Sequence, residues 1–545
     1  MIAVVETHKP SAKYFSALQP PLVQHFELMA TAPSGVAKLR NLILTLAVQG
    51  KLVPQEPTDE PASELLRKIR TEKNLSIGGA KNKWGESPVE ILEEDLPYRL
   101  PMAWEWIRNQ NLFSLRKGKN PKVLSETPIG RPYLDIEALD RHQVRRFSED
   151  ATALTCSADD ILVVCDGSRS GLILQGKDGI VGSTLAVIDC SKLVQPYLRL
   201  IFRAGFQRYN SGVKGAAIPH LDTKTVLNEV TGLPPFAEQS RIVTRVEELM
   251  RLCDALEAKS QLEAAQHAQL VQTLLSAMTA STTAEELADN WQRVATHFDL
   301  LLDRPEAIDA LEQSILQMAV RGLLSPQDLN DEPAENFVRR VNVDRKIRRA
   351  QESRQVLAST EEGQLPKGWC VTNIGCISEC LDYVRRPIKK SDREATVGTV
   401  PYFGANGQVG WIDDYLFDED LVLVVEDETF IGRTKPFSYI VRGKSWVNNH
   451  AHVLRPLGGM TVEYLNLCLE RYDFIPLTSG TTNRRKLTKA GLLDAVVFIA
   501  PLAEQTRIVA RVEALRRLCA DLRQRLAARQ TTQAHLAEAL IDEVV

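Results

Sequence analysis

LAVQGKLVPQEPTDEPA (Leu46 to Ala62) returns as MAVRGLLSPQDLNDEPA (Met318 to Ala334), 272 residues later. Two further pairs follow in the same order. LPMAW (Leu100 to Trp104) matches LPKGW (Leu365 to Trp369), and PFAEQSRIVTRVEELMRLC from Pro235 matches PLAEQTRIVARVEALRRLC from Pro501, at offsets of 265 and 266 residues. Blocks that recur in one order at nearly one spacing make the chain two copies of one unit, with the variable parts lying between them. Two similar units on one chain suit a target with two separated halves.

The repeated blocks are helical in period. Leu39, Leu42, Ile43, Leu46 and Ala47 fall on one face at three- and four-residue steps, and Gly50 and Pro54 end the run. Ile308, Leu311, Ile315, Met318 and Ala319 repeat the pattern, then Gly322 and Pro326. The Asp-Glu-Pro-Ala that follows in each copy predicts a helix start. Acidic groups suit the positive end of the helix dipole, and Pro loses no hydrogen bond at the first helical position. After Pro235 the apolar residues are Ile242, Val246, Leu249, Cys253 and Leu256; after Pro501 they are Ile508, Val512, Leu515, Cys519, Leu522 and Leu526. Their alternating steps of four and three are those of a coiled-coil seam. This predicts two helices of about 35 residues, about 50 Å long, that bury their seams against each other.

Between these helices the texture changes to short apolar runs punctuated by Gly and Pro. Asp160 to Val164 (DILVV), Asp420 to Val425 (DLVLVV), Leu185 to Ile188 and His452 to Leu454 read as buried strands. The predicted fold class is α+β: two mixed α/β, β-rich globular domains separated by long antiparallel coiled-coil helices, with a pseudo-two-fold internal repeat. The predicted boundaries are an N-terminal arm (1–34), a helical region and linker (35–95) and a first globular domain (96–234). A central coiled-coil region and linker (235–362), a second globular domain (363–500) and a C-terminal coiled-coil helix (501–545) complete the chain.

Composition bounds the function. At 545 residues several domains are expected, and a 44% hydrophobic, 25% charged chain has the balance of an ordinary globular protein. No apolar run approaches the ~18 residues of a membrane helix, and MIAVVETHKPSAKYF is too polar for a secretory signal. The expectation is a cytoplasmic protein without membrane contact, whose nine cysteines stay reduced. Cys370, Cys376 and Cys380 lie close in sequence, but no His stands beside them and the spacing matches no zinc signature; they are read as packing or surface thiols. There is no GxxxxGK[ST] loop, no Asn/Asp-Pro-Pro-Tyr/Phe element, no Gly-rich loop suited to S-adenosylmethionine and no HExxH. The reading is of a chain with no catalytic residue, no metal and no cofactor of its own. With a net charge of −4, any contact with DNA must come from local basic patches.

Such patches recur at matching places. Each globular region opens with a basic run: Arg116, Lys117, Lys119 and Lys122 in the first, and Arg385, Arg386, Lys389, Lys390 and Arg393 in the second. Each closes with a polar loop, Asn210 to His220 with Lys214 and His220, and Ser479 to Lys486 with Thr482, Asn483, Arg484 and Arg485. Arg and Asn are the side chains that read guanine and adenine edges. Ser168 and Arg169 in DGSRSG, and Tyr402, Asn406 and Gln408 in PYFGANGQVG with Arg433 and Lys435 downstream, are the mid-domain candidates. Asn448, Asn449 and His450 read equally well as a strand-end cluster.

The paired P-[FL]-A-E-Q-x-R-I-V helix openings, the twin LPxxW elements and the twin blocks ending in DEPA resemble the specificity subunit of type I restriction–modification enzymes, over about residues 36–540. The resemblance implies two target recognition domains, each reading half of a bipartite, asymmetric sequence in double-stranded DNA, with the family's conserved helices setting the gap. It also implies partners: two modification (methyltransferase) subunits and two restriction (motor-nuclease) subunits, to which S-adenosylmethionine, ATP and Mg would belong. The alternative is a non-catalytic coiled-coil scaffold whose globular domains bind protein.

Overall fold

The computed structural model describes residues 26–76, 91–93, 96–211, 220–343, 365–389, 398–428, 430–480 and 485–544. The chain divides into two units, Met1–Leu262 with Arg529–Val545, and Glu263–Ala528. Among the described residues no helix is long and apolar enough to cross a membrane.

In the first unit the amphipathic period becomes α2 (Gly35–Val48), preceded by a short α1 (Phe26–Thr31) and followed by α3 (Ala62–Ser76). The sequence reads as a loose arm over residues 1–34. The described end of that stretch is helical, and Met29 is fully buried in the unit's core. The β-rich domain begins and ends at one antiparallel pair, β1 (Glu105–Arg108) with β10 (Val230–Leu233). One sheet has the order β2 (Phe113–Lys117), β9 (Leu185–Cys190), β6 (Ile161–Val164), β7 (Ile173–Gln175). A second has the order β4 (Phe147–Ser148), β3 (Arg131–Leu134), β8 (Gly179–Val181), β5 (Thr155–Cys156), with β3 and β8 parallel.

The central strand β6 is apolar at every position because both its faces are covered. Ile161 and Val163 join the core that includes α4 (Gln195–Ser211), while Leu162 and Val164 join a separate cluster with Leu134 and Ala138. Side chains that alternate between faces make a strand buried on both sides a continuous hydrophobic run.

The domain leads into α5, Phe236–Ala280, of 45 residues. No Gly or Pro interrupts it, and it runs longer than the sequence-based length. Ile242, Val246, Leu249 and Cys253 are buried in one cluster with Leu39, Leu42 and Leu46 of α2 and with Ala537 near the C-terminus. Arg40 of α2 reaches Asp254 at 2.6 Å and Glu257 at 3.0 Å, and Lys38 reaches Glu538 at 2.7 Å. The seam is therefore shared by three helical segments. From Glu257 to Gln266 the helix surface is exposed throughout.

In the second unit Val271, Leu275 and Met278 of α5 are buried again. They share a cluster with α7 (Pro305–Val320), reached through α6 (Ala284–Thr296), and with Ile508, Val512 and Cys519 of α10 (Leu502–Val544, 43 residues). Arg523 binds Asp309 at 2.6 Å and Glu312 at 2.7 Å. Between α7 and α10 lie α8 (Ala334–Val343) and the second β-rich domain, which contains α9 (Val462–Leu469). The domain is joined at its base by β11 (Cys370–Asn373) with β23 (Val496–Ile499). Its sheets have the orders β12 (Ser378–Cys380), β20 (Ala451–Pro456), β16 (Leu421–Val425), β18 (Ser438–Val441), and β14 (Gly407–Ile412), β13 (Val400–Gly404), β19 (Lys444–Val447), β15 (Phe417–Asp418). A small third sheet joins β17 (Asp427–Glu428), β22 (Arg485–Leu487) and β21 (Thr478–Gly480).

The repeated blocks meet in space as one joint per unit. Trp104 Nε1 donates to Glu238 Oε2 at 3.0 Å, and Gln55 Nε2 donates to Glu238 Oε1 at 2.7 Å. Trp369 and Gln327 treat Glu504 identically, at 3.0 and 2.8 Å. Arg241 pairs with Asp59 and Arg507 with Asp331. The amides of Ala62 and Ala334, at the two Asp-Glu-Pro-Ala helix starts, donate to Ala103 and Gly368 of the LPxxW elements. Gly50 and Gly322, at φ of 72° and 71°, let the chain turn so closely that a Cβ there would strike Pro101 or Pro366 and the adjacent Trp. The shared residues are thus the mounting of each β-rich domain, while the unshared ones form its loops.

Candidate nucleic-acid interface

The sequence-predicted residues separate by what their side chains do. In the first unit Lys119, Lys122 and Ser168 are exposed. Lys117, at the end of β2, pairs with Asp166 at 3.0 Å, and His220 Nδ1 meets the same carboxylate at 2.7 Å. Burial by itself would raise Asp166, but the hydrogen bonds from His220 and Lys117 bring it below the usual carboxylate range. Arg169 forms a two-point pair with Asp140, at 2.6 and 3.1 Å. Arg116 pairs with Asp189 at 3.2 Å.

In the second unit Arg386, Lys389 and Lys435 are exposed. Asn406 is exposed and donates to Glu428 at 2.8 Å. Arg433 is half-buried, donates to the Pro436 carbonyl at 2.9 Å and lies 5.7 Å from the Phe437 ring centre; burial lowers its pKa. Arg485 is turned inward across the β21–β22 pair, onto the Thr478 hydroxyl at 2.6 Å and the Thr478 carbonyl at 3.1 Å. Asn448 accepts from the His450 amide at 2.8 Å, a local turn contact. Lys214, Lys390, Arg393, Thr482, Asn483 and Arg484 lie outside the described residues.

Two candidates are largely buried. Tyr402 on β13 is only 2% exposed, and its hydroxyl accepts from the Ile388 amide at 3.1 Å. Its ring is part of the domain core and supports the basic segment from beneath. Arg385 has a side chain only 12% exposed; it binds Glu426 at 2.5 Å, Asp382 at 3.1 Å and the Ala451 carbonyl at 2.6 Å. A guanidinium enclosed by two carboxylates and a carbonyl has no face left for a phosphate.

The network around Arg385 is not visible in the sequence, because its members are spread from Cys380 to Leu487. His452 Nδ1 meets Asp382 at 2.6 Å and Nε2 meets the Leu487 carbonyl at 2.9 Å, so both ring nitrogens have a hydrogen-bond partner. The sequence places no His beside the three-cysteine stretch; folding brings His452 within 4.8 Å of Cys380 and Asp382. These three donors are already committed. Arg385 neutralises Asp382, His452 is bonded at both nitrogens, and burial pushes the Cys380 thiol up to about 12, which disfavours the thiolate a metal requires.

Each unit therefore presents exposed cations on segments anchored to a buried frame, and mounts them on the same joint. The family model described as "Type I restriction modification DNA specificity domain" matches twice, over residues 101–266 and 366–529. The chain belongs to this family of type I specificity subunits. Both matches begin inside an LPxxW element and run into a long helix, so each takes in the β-rich domain and its Trp–Glu contact but not the block that ends in Asp-Glu-Pro-Ala. The specificity subunit of the type I restriction enzyme EcoAI from Escherichia coli is 30% identical over 563 residues, covering 94% of each chain. That of EcoEI, also from Escherichia coli, is 30% identical over 566 residues, covering 93% of each.

Proposed function

We propose that this specificity subunit reads a bipartite, asymmetric sequence in double-stranded DNA, one half with the domain at 96–234 and the other with the domain at 363–500. It acts with two modification subunits and two restriction subunits. S-adenosylmethionine belongs to the former, ATP and Mg to the latter, and this chain supplies no catalytic group. The doubled joint carries the reading. Two domains with different loops are mounted on the same Trp–Glu–Gln contact, as expected of two readers that differ in target and share a frame. The exposed Lys119 and Lys122 in one domain and Arg386 and Lys389 in the other supply phosphate contacts, which position a protein on DNA.

The test is co-expression with the cognate modification subunit in a methylation-free host, followed by mapping of N6-methyladenine along the genome. The expected result is one motif of two short specific halves around a fixed gap. Soluble, co-purifying subunits that leave the genome unmethylated would favour the protein-binding scaffold.

A further inference from the structure

Basic side chains from the two ends of each β-rich domain converge on a single carboxylate. In the first unit Asp166 ends the run DILVVCD. It takes Lys117 from the opening segment at 3.0 Å and His220 from the closing one at 2.7 Å, and His220 also makes a backbone bridge to Asp166. In the second unit Glu426 ends the corresponding run DLVLVVE. It takes Arg385 from the opening segment at 2.5 Å and Lys486 from the closing one at 3.1 Å. Here the arrangement is deeper: Arg385 and His452 both hold Asp382, and His452 also holds the Leu487 carbonyl, next to Lys486. The two loop sets differ in sequence, yet in each a carboxylate at the end of the central strand meets one basic side chain from the opening segment and one from the closing segment.

We propose that Asp166 and Glu426 are positioning residues for DNA reading, and that Lys117, His220, Arg385 and Lys486 serve these clamps instead of neutralising phosphate. The proposal rests on the DNA-reading role above. The clamped residues adjoin the exposed ones. Lys119 lies two residues after Lys117, Ser168 two after Asp166, and Arg386 directly after Arg385. The segment beyond Arg385 is held further by Trp446, whose indole donates to the Arg386 carbonyl at 2.7 Å. Simple electrostatics and the clamp make opposite forecasts. A carboxylate near a DNA-facing surface repels phosphate, so its removal alone would tighten binding. If it fixes the loops, its removal loosens specific binding.

The experiment uses the full chain in complex with its modification subunit, a duplex carrying the motif found by methylation mapping, and a second duplex without it. For Asp166→Asn the expected result is about a tenfold loss of specific affinity, the size of one misplaced base contact. The slope of log K against log salt stays unchanged, and binding to the second duplex stays level or rises. Specific binding as tight as wild type, or tighter, overturns the proposal. Lys117→Met removes a half-exposed side chain and leaves the core intact. It should give a similar loss with an unchanged salt slope, whereas a slope shallower by about one marks a phosphate contact and overturns the clamp. His220→Lys, which copies the second domain, should bind within about twofold of wild type while His220→Ala does not; equal loss in both counts against it. If the wild-type complex fails to distinguish the two duplexes, the DNA-reading role itself fails, a result separate from these.

Discussion

Trp369 and Glu504 are 135 residues apart and meet in one hydrogen bond, the indole N–H donating to the carboxylate at 3.0 Å, with Glu504 fully buried. This contact ties the opening of the second β-rich domain to the first turn of its long helix. Trp369→Phe keeps most of the ring and removes the donor. A buried acceptor that loses one partner costs about 1–3 kcal/mol, so the urea midpoint of the second unit should fall with an unchanged slope. Trp104→Phe should do the same to the first unit through Glu238. An unchanged midpoint would show that the aromatic ring alone makes the joint.

Both joint carboxylates are raised in pKa, chiefly by burial and against the hydrogen bonds from Trp and from Gln55 or Ser325. A carboxyl whose folded pKa exceeds its unfolded value contributes its stability below the unfolded value and loses it as pH rises through the folded one. Glu504→Gln has no such dependence. Relative to wild type it should therefore gain stability from about pH 4 towards neutrality, the unfolded glutamate value lying near 4.3. Denaturant unfolding across that range checks the sign; a wild type that gains stability relative to Glu504→Gln as pH rises contradicts it.

Much of this architecture is legible in the sequence, for physical reasons. Ile161 to Val164 and Leu421 to Val425 announce central strands because strands covered on both faces cannot carry polar residues. The joint is legible as three repeated blocks, though not as one place, because Gln55, Trp104 and Glu238 come together only through the fold. The seams indicate helices but not their lengths or partners. At Ser260 and Glu263 the apolar spacing lapses, yet no residue there stops a helix, and the apolar residues resume at Val271 in the second unit's core. Least legible is which cations stay available. Arg385 and Arg386 are neighbours in sequence, and only the carboxylates Asp382 and Glu426 beneath one of them set their roles apart.

The helical core allows two kinds of interaction to be ranked. Ile508 on α10 is fully buried in the cluster that includes Ile308 and Ile315, so Ile508→Ala should cost about 2–5 kcal/mol through reduced burial and the cavity left behind. Arg523 is about one-third exposed and pairs with Asp309 and Glu312 at the surface, so Arg523→Ala should cost less than about 1 kcal/mol, and less still at high salt. Unfolding measured at low and high salt separates the two. If Arg523→Ala proved the more damaging, ion pairs and not the seam would be holding α10 to α7.

The exposed cations lead to a prediction about DNA. Arg386 and Lys389 are exposed on a segment fixed by Trp446 and Tyr402, and among the described residues no carboxylates enclose them as they do Arg385. In the complex with the modification subunit, Arg386→Ala with Lys389→Ala should weaken binding to DNA with and without the motif by similar factors. The slope of log K against log salt should become shallower by about two, one for each phosphate that is no longer neutralised. The preference between the two duplexes should hardly change, because phosphate contacts position the protein and base contacts specify the sequence. Loss of that preference at an unchanged slope would instead place these side chains on base edges, and the basic run of the second domain would be a reader and not an anchor.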